Sequence, residues 1–266
     1  MNASKVFVST CCLFAASAAL PAAAATITTV TGDTSDARVV DSNRDGSGNS
    51  VSGISGGSVA VGYLSSGSFN AGIFAFDLPE LPTGEALTDA SLQINVAFTQ
   101  LDDAFTGSVP FEVDLFGLTR TSNTSAVLAS DYFSGDASSA TDGLLLADNA
   151  ISSSDGNGAQ AFDVAAFLAA QYAAFGPGHD FSGNDDFVFF RFNADESIFD
   201  PNNPNELRTD LSATATSTRG LTSANNGTVA NRPALVITSE VPEPGSMLLV
   251  GAGAVLIAGR RRRLSA

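Results

Sequence analysis

The sequence predicts an all-β protein, an antiparallel β-sandwich with one short helix. Short apolar or alternating runs recur along the chain, and connections rich in Gly, Ser, Asn and Asp separate them. One segment alone has a helical pattern of apolar residues. The region between the two unusual termini, residues 26–240, has the length of a single β-sandwich domain.

Nine segments have the composition and spacing of strands. They are ATITTV (25–30), DARVV (36–40), SVAVGYL (58–64), GIFAFDL (72–78), ASLQINVAF (90–98), FEVDLFGL (111–118), AQAFDV (159–164), DFVFFRFN (186–193) and ALVIT (234–238). Alternation in the fifth segment predicts four apolar side chains on one face, namely Leu92, Ile94, Val96 and Phe98. Residues 135–158 and 194–232 are polar and are predicted to be loops.

The helix is predicted for DVAAFLAAQYAAFG, residues 163–176. Asp163 can cap its first turn, and Gly176 followed by Pro177 ends it. Five apolar or aromatic residues form one stripe that we expect to pack on the sandwich: Val164, Phe167, Leu168, Tyr172 and Phe175.

The N-terminus, residues 1–25, has the three parts of a signal peptide. Lys5 supplies the positive charge, residues 6–20 form the apolar core, and the small residues of PAAAAT allow cleavage near Ala25. Cys11 and Cys12 lie within the apolar core, so both leave with the signal. The exported chain then has no cysteine, and we expect no disulfide bond.

The C-terminus, residues 241–266, ends in an apolar segment followed by arginines. Pro242, Glu243 and Pro244 form an extended, accessible stretch. Residues 246–259 carry no charge and predict a transmembrane helix, although 14 residues span only about 21 Å against a bilayer core of about 30 Å. Four arginines that we expect to stay cytoplasmic follow: Arg260, Arg261, Arg262 and Arg263. Taken alone, these features fit either a permanent anchor or a segment that is cut off.

This order of Pro-Glu-Pro, short apolar helix and terminal Arg cluster resembles the PEP-CTERM sorting domain. The resemblance implies an exosortase-type membrane peptidase as partner, which removes the tail at the inner membrane of a Gram-negative-type bacterium. It also implies that the processed protein reaches the cell surface or the extracellular exopolysaccharide matrix. Between removal and plain anchoring, the resemblance favours removal.

The charge of the chain excludes nucleic acid as a partner. The net charge is −16, and loss of both termini removes five of the 12 basic and one of the 28 acidic residues, leaving seven against 27. The resulting charge of −20 repels phosphate backbones, and no run of basic residues remains to overcome that repulsion.

The order of the strands carries a second resemblance. Phe76-Asp77-Leu78, then Pro82, then Ala90 and Leu92 are similar to the opening of DNRLRE-type domains, and AFDVAAFL, FVFFRFNADES and RPALVIT are similar to their closing segments. These domains are jelly-roll sandwiches related to carbohydrate-binding modules. The resemblance covers most of residues 33–240. It implies a jelly-roll fold for the domain of residues 26–240, and sugar binding as an alternative function.

One loop has the spacing of oxygen ligands for a hard cation. In DSNRDGSGN, Asp41, Asn43 and Asp45 alternate and Gly46 permits a sharp turn. The residue expected to close a full EF-hand loop would be Ser52, so an EF-hand is excluded, and two interpretations stay open. The loop either binds calcium, the one cofactor that the sequence suggests, or is a solvated turn closed by its own side chains.

Candidates for catalysis and for sugar stacking are few. His179 is the single histidine and has no cysteine or recognisable serine motif as a partner. A pair of carboxylates is the other route, to glycoside hydrolysis, but the sequence singles out no pair among its many acids, so we expect no enzyme activity. The chain has no Trp, which leaves Tyr63 and Tyr132 as candidates for a stacking surface, with core packing as the other interpretation of each. The sequence thus favours a non-enzymatic structural or adhesive component of the cell surface or exopolysaccharide matrix. The alternative is a carbohydrate-binding module, calcium-dependent or not.

Overall fold

A computed structural model describes residues 25–54, 57–64, 66–101, 111–132, 143–152, 154–176, 178–183, 185–195, 199–200, 202–207 and 216–241. Residues 25–241 form one compact unit. The predicted signal peptide, the apolar segment 246–259 and the four terminal arginines lie outside the described residues. Within the described part of the chain, no helix has the length and hydrophobicity needed to cross a bilayer.

The described elements follow one another along the chain as strands with a single α-helix among them. The strands are β1 (Thr26–Thr31), β2 (Ala37–Asp41), β3 (Ser50–Gly53), β4 (Ser58–Leu64), β5 (Ser68–Asp77), β6 (Ala86–Leu101), β7 (Val113–Ser122), β8 (Gly143–Ile151), β9 (Gly158–Asp163), β10 (Phe187–Ala194), β11 (Phe199–Asp200), β12 (Asn203–Leu207), β13 (Ser217–Thr222) and β14 (Ala234–Glu240). Helix α1 (Ala165–Phe175) joins β9 to β10.

The strands pair antiparallel, and twelve of them belong to one curled sheet. Its main path runs β1-β14-β6-β13-β4-β5-β10-β7-β8. β2 pairs with β3 and β5, β9 pairs with β6, and β11 and β12 form a separate pair. The predicted antiparallel β fold with one short helix is therefore confirmed for the described residues. The jelly-roll connectivity stays a prediction.

The core is built mainly on β5 and β10, which pair from Phe187 opposite Asp77 to Phe192 opposite Gly72. Every residue of β10 is buried, as expected of an apolar run at the centre of a sheet. Its rings meet rings of β5 edge-on, at centroid distances of 5.6 Å for Phe74–Phe192 and 5.8 Å for Phe76–Phe190. This geometry is the preferred one for aromatic pairs and adds to the stability gained by burial.

Helix α1 ends where the sequence indicates, but Asp163 is not its N-cap. The N-cap is Val164, which forms no side-chain capping bond, and Asp163 lies one residue earlier at the end of β9. The Ala165 amide donates to Asp163 Oδ1 at 3.0 Å, and Gly176 takes a φ of 93° immediately after the last turn. Phe167 and Leu168 are buried, and Phe167 lies against the bare backbone of Gly117 in β7, where a Cβ would overlap the ring. The predicted packing of this face on the sheet is thus confirmed.

The two segments predicted to be polar loops contain strands, so that prediction is wrong. β8 lies within 135–158, and β11, β12 and β13 lie within 194–232. β13, with the sequence STRGLT, is polar, yet all six of its residues are buried because it lies between β4 and β6. Position in the sheet has overridden a composition typical of loops.

The prediction for Phe98 is also wrong. Leu92, Ile94 and Val96 face the core, but Phe98 is 38% exposed. The pairing of β6 with β13 is irregular here, since Gly220 is opposite Phe98 whereas Leu221 is opposite Val96. The extra residue is a β-bulge, which moves every following side chain to the other face of the strand.

Candidate functional site

The calcium candidate is the loop from Asp41, the last residue of β2, to Asn49. Asp41 is fully buried, and its Oδ1 and Oδ2 accept hydrogen bonds from the amides of Arg44 at 2.7 Å and Gly46 at 3.0 Å. Arg44 and Gly46 both have a positive φ, of 57° and 84°, which turns their amides toward the carboxylate. The backbone of the loop is therefore shaped around a single buried acid.

The exposed side chains of this loop hold one another. Asn43 Nδ2 donates to Asp45 Oδ2 at 2.8 Å, and Asp45 Oδ1 accepts the Ser47 amide at 2.9 Å. Asn49 Oδ1 closes the loop by accepting from the Ser42 amide at 2.7 Å. Each carboxylate oxygen offers a second lone pair, so these bonds and a bound hard cation are chemically compatible.

A second group of oxygens was missed by the sequence analysis. Asp114 on β7, Asp148 on β8 and Asp195 after β10 place one carboxylate oxygen each within 4.8 Å of the others. Asp114 and Asp195 are buried, Asp148 is exposed, and Asp114 Oδ1 accepts the Asn149 amide at 2.8 Å. The one sequence signal was an acid inside the apolar strand FEVDLFGL. Oxygens at this spacing are able to coordinate a cation.

The two tyrosines considered for sugar stacking lie in the core. Tyr63 is 0% and Tyr132 is 3% exposed. The Tyr63 ring packs on Phe69 at a centroid distance of 5.1 Å, and burial raises the pKa of the Tyr132 phenol well above its ordinary value. Both rings therefore pack in the core, which was the other interpretation of these residues, and neither ring has a face available to a ligand.

The single histidine orders the loop after α1. His179 Nε2 lies 2.8 Å from both carboxylate oxygens of Asp186, which is buried. The imidazole stacks on Phe175 at 4.8 Å and meets Phe181 edge-on at 4.7 Å. These contacts attach the loop to the end of the helix and to the start of β10.

The sorting residues of the tail, Pro242, Glu243, Pro244 and Arg260 to Arg263, lie outside the described residues. Val241, the last described residue, is 46% exposed and follows directly after β14. Comparison of the whole chain with curated proteins gives no match. Residues 240–263, however, match a family described as the PEP-CTERM protein-sorting motif, so the chain carries the sorting signal of an exported, surface-associated bacterial protein that an exosortase processes.

Proposed function

We propose that this chain is delivered by exosortase sorting to the cell surface or the exopolysaccharide matrix, where it acts as a non-enzymatic structural or adhesive component. The match of residues 240–263 to the sorting motif carries the proposal. The boundary of the folded unit supports it. β14 ends at Glu240 and pairs along its length with β6, so removal of everything after Val241 leaves every described strand intact.

The composition of the remaining domain suits an extracellular structural role. Both cysteines lie in the predicted signal peptide, so the fold of the exported chain does not depend on the redox state of the medium. Its negative charge favours solubility. We propose a jelly-roll topology for it, in line with its resemblance to DNRLRE-type domains. Carbohydrate binding ranks second as a function because Tyr63 and Tyr132, its aromatic candidates, are buried.

We predict that the tail is absent from the mature protein. Mass spectrometry of protein recovered from an exosortase-containing bacterium should detect no peptide that begins after Ser246. A variant with Pro242, Glu243 and Pro244 all changed to Ala should keep the tail, because the peptidase reads this extended segment. The matched control is Val229→Ala, an exposed residue outside the matched segment 240–263, which should be processed like the wild type. An intact tail on most wild-type molecules would reduce the segment to an ordinary anchor.

We also propose that the loop of Asp41, Asn43 and Asp45 binds calcium. The negative net charge favours a cation, and binding to the folded state alone raises stability by mass action. In calorimetry of the full chain, millimolar calcium should raise the melting temperature by about 3 °C or more over the chelator-treated protein. The double variant Asn43→Ala with Asp45→Asn, both exposed, should abolish this rise.

One more variant shows which group of acidic residues binds the cation. Asp148→Asn alters the exposed member of the other acidic group and should leave the calcium-dependent rise unchanged. A rise that survives the loop variant but disappears with Asp148→Asn would place calcium at that group and refute the loop site. An unchanged melting temperature in the wild type would leave the loop as a polar turn.

A further inference from the structure

Arg38 is a cation on the outer face of the sheet, and no ion pair or hydrogen bond of its side chain is seen among the described residues. It lies in β2 between Ala37 and Val39, which are both buried in the core, so the alternation of the strand turns Arg38 away from the core. Its Nε is buried and has no hydrogen-bond partner among the described residues. Neither of the ion pairs formed in the described part of the chain includes it.

The chain is rich in carboxylates, yet none of those in the described residues forms an ion pair with Arg38. Acidic residues outnumber basic ones by 28 to 12, so a nearby carboxylate would be easy to supply. A buried polar atom without a hydrogen-bond partner lowers stability, and Arg38 Nε shares this situation with Arg219 Nε. Such an atom calls for an explanation, and an acceptor from outside the chain that binds the same guanidinium is one.

Phe98 reaches the same face through the bulge in β6. Its ring lies over Gly220 of β13, where an added Cβ would overlap the ring atoms. Two local features therefore fix the ring in place: the extra residue in β6 turns it outward, and the missing side chain at 220 makes room for it. Bulges that re-aim a side chain are frequent next to binding sites.

Arg38 and Phe98 border the same cavity. It has a volume of about 210 Å³ and opens to solvent. Its other walls include Ser52 and Ser58 together with the small residues Gly53 and Ala60. Ile54 and Val59 complete the lining, so one wall is cationic, one is aromatic, and the remainder mixes serines with small and aliphatic residues. This combination suits a ligand with one charged and one apolar part.

We propose that this cavity binds a small organic carboxylate that has an apolar body about the size of one six-membered ring. The terminal nitrogens of Arg38 donate to the carboxylate, the geometry that guanidinium groups favour. The apolar body packs on the Phe98 ring and leaves water. This inference goes beyond the proposed sorting and does not depend on it, since the cavity lies in the unit of residues 25–241 whether or not the tail is removed.

The ring that carries the carboxylate is either a hydrocarbon ring or a sugar ring that packs on Phe98 through its apolar C–H face, and the test separates the two. Ligand-observed NMR and calorimetric titration of the full chain in mild detergent would use cyclohexanecarboxylate and glucuronate. Cyclohexanecarboxamide and glucose are their uncharged counterparts. We expect binding of at least one carboxylate and at least tenfold weaker binding of its uncharged counterpart, because a hydrogen bond to a charged group is worth about 1.5–3 kcal/mol. The carboxylate that binds identifies the class of the natural ligand.

Three variants assign the binding to this cavity. Arg38→Gln should weaken it at least tenfold, whereas Arg44→Gln, which removes an exposed arginine elsewhere, should leave it within twofold. Gly53→Leu adds bulk where a Cβ meets open space and should block the cavity without altering Arg38, so it replaces Arg38→Gln if that variant fails to fold. The proposal is overturned if neither carboxylate binds, if the uncharged counterparts bind equally well, or if Arg44→Gln weakens binding as much as the cavity variants.

Discussion

Changing Asp131 to alanine is expected to lower the free energy of unfolding by about 3 kcal/mol or more. Asp131 is 3% exposed and accepts two hydrogen bonds from Arg120, Nε to Oδ1 and Nη2 to Oδ2, both at 2.7 Å. Its Oδ2 also accepts the Leu128 amide at 2.7 Å. Removal of the carboxylate takes this hydrogen-bond acceptor from the Arg120 guanidinium and from the Leu128 amide, and it held both groups in position.

The surroundings of Arg120 set the size of this effect. Its guanidinium lies over the Phe189 ring, 3.5 Å from the centroid, and its side chain is 22% exposed. Water therefore reaches part of the cation, so the low end of the range measured for broken buried ion pairs, about 3–5 kcal/mol, applies. The loop that contains Asp131 connects to β10 as well, because Arg191 Nη1 donates to the Asp131 carbonyl oxygen at 3.0 Å.

Urea unfolding of the wild type and Asp131→Ala measures the loss. Asp89→Ala, an exposed acid on β6, is the matched control and should change the free energy of unfolding by no more than about 0.5 kcal/mol. The double variant Arg120→Met with Asp131→Ala should cost less than the sum of the two single changes, because it removes the stranded charge. Additive losses in that cycle, or a loss under 1 kcal/mol for Asp131→Ala, would show that the pair is not coupled.

The second large effect is a dependence of stability on pH caused by Asp36. This side chain is 1% exposed, and its two oxygens accept the amides of Ala75 at 3.1 Å and Ala224 at 3.0 Å. Burial raises the pKa of the Asp36 carboxyl from 3.8 to about 7, since the two hydrogen bonds only partly offset the loss of water, and the charge of Asp33 adds to the rise. The folded protein therefore holds this proton more tightly than the unfolded chain.

Linkage gives the sign of the effect. The stability contributed by protonated Asp36 is fully present below about pH 4 and is lost as the pH rises through 7. A difference of about 3 pH units between the two states corresponds to about 4 kcal/mol. Because other acids titrate at low pH, the quantity to measure is the difference in unfolding free energy between the wild type and Asp36→Asn.

Urea unfolding at intervals from pH 4 to 9 gives this difference. Asp36→Asn should be the less stable protein at pH 4, since its amide nitrogen cannot accept one of the two backbone hydrogen bonds. Relative to the variant, the wild type should then lose about 4 kcal/mol as the pH rises to 8. If the unfolding free energies of the wild type and Asp36→Asn change in parallel with pH over this range, the raised pKa of Asp36 is contradicted.

Local sequence patterns were sufficient to predict those elements whose apolar residues are also their buried residues. The apolar run at β10 and the helical stripe of α1 were both predicted because each carries its own packing face in its sequence. β13 carries no such signal. It is a strand because β4 and β6 supply its hydrogen bonds and because the terminal nitrogens of Arg219 donate to distant carbonyls, with Nη2 donating to Ser152 O at 2.7 Å. These partners are remote in sequence, so propensity could not reveal them.

The candidate sites show the same limit. The Asp41 loop was found because its oxygens are neighbours along the chain. Asp114, Asp148 and Asp195 were not found, since only the register of β7 with β8 and β10 brings them together. The face of Phe98 was mispredicted for a related reason: a single extra residue in β6 is set by the pairing with β13 and leaves no trace in the alternation.

The position of β14 bears on the order in which an exported chain of this kind assembles. β14 pairs with β1 on one side and with β6 on the other, and Thr26 lies opposite Ser239, more than 200 residues away in sequence. A chain that crosses a membrane from its N-terminus presents β1 first and β14 last. β1 therefore cannot form its hydrogen bonds with β14 until the chain has crossed as far as residue 240. At that moment the next residues to follow are those of the sorting motif, which begins at the end of β14. The last strand of the sheet and the start of the sorting motif thus leave the membrane together. A chain cut short before β14 would lack both this strand and the sorting signal.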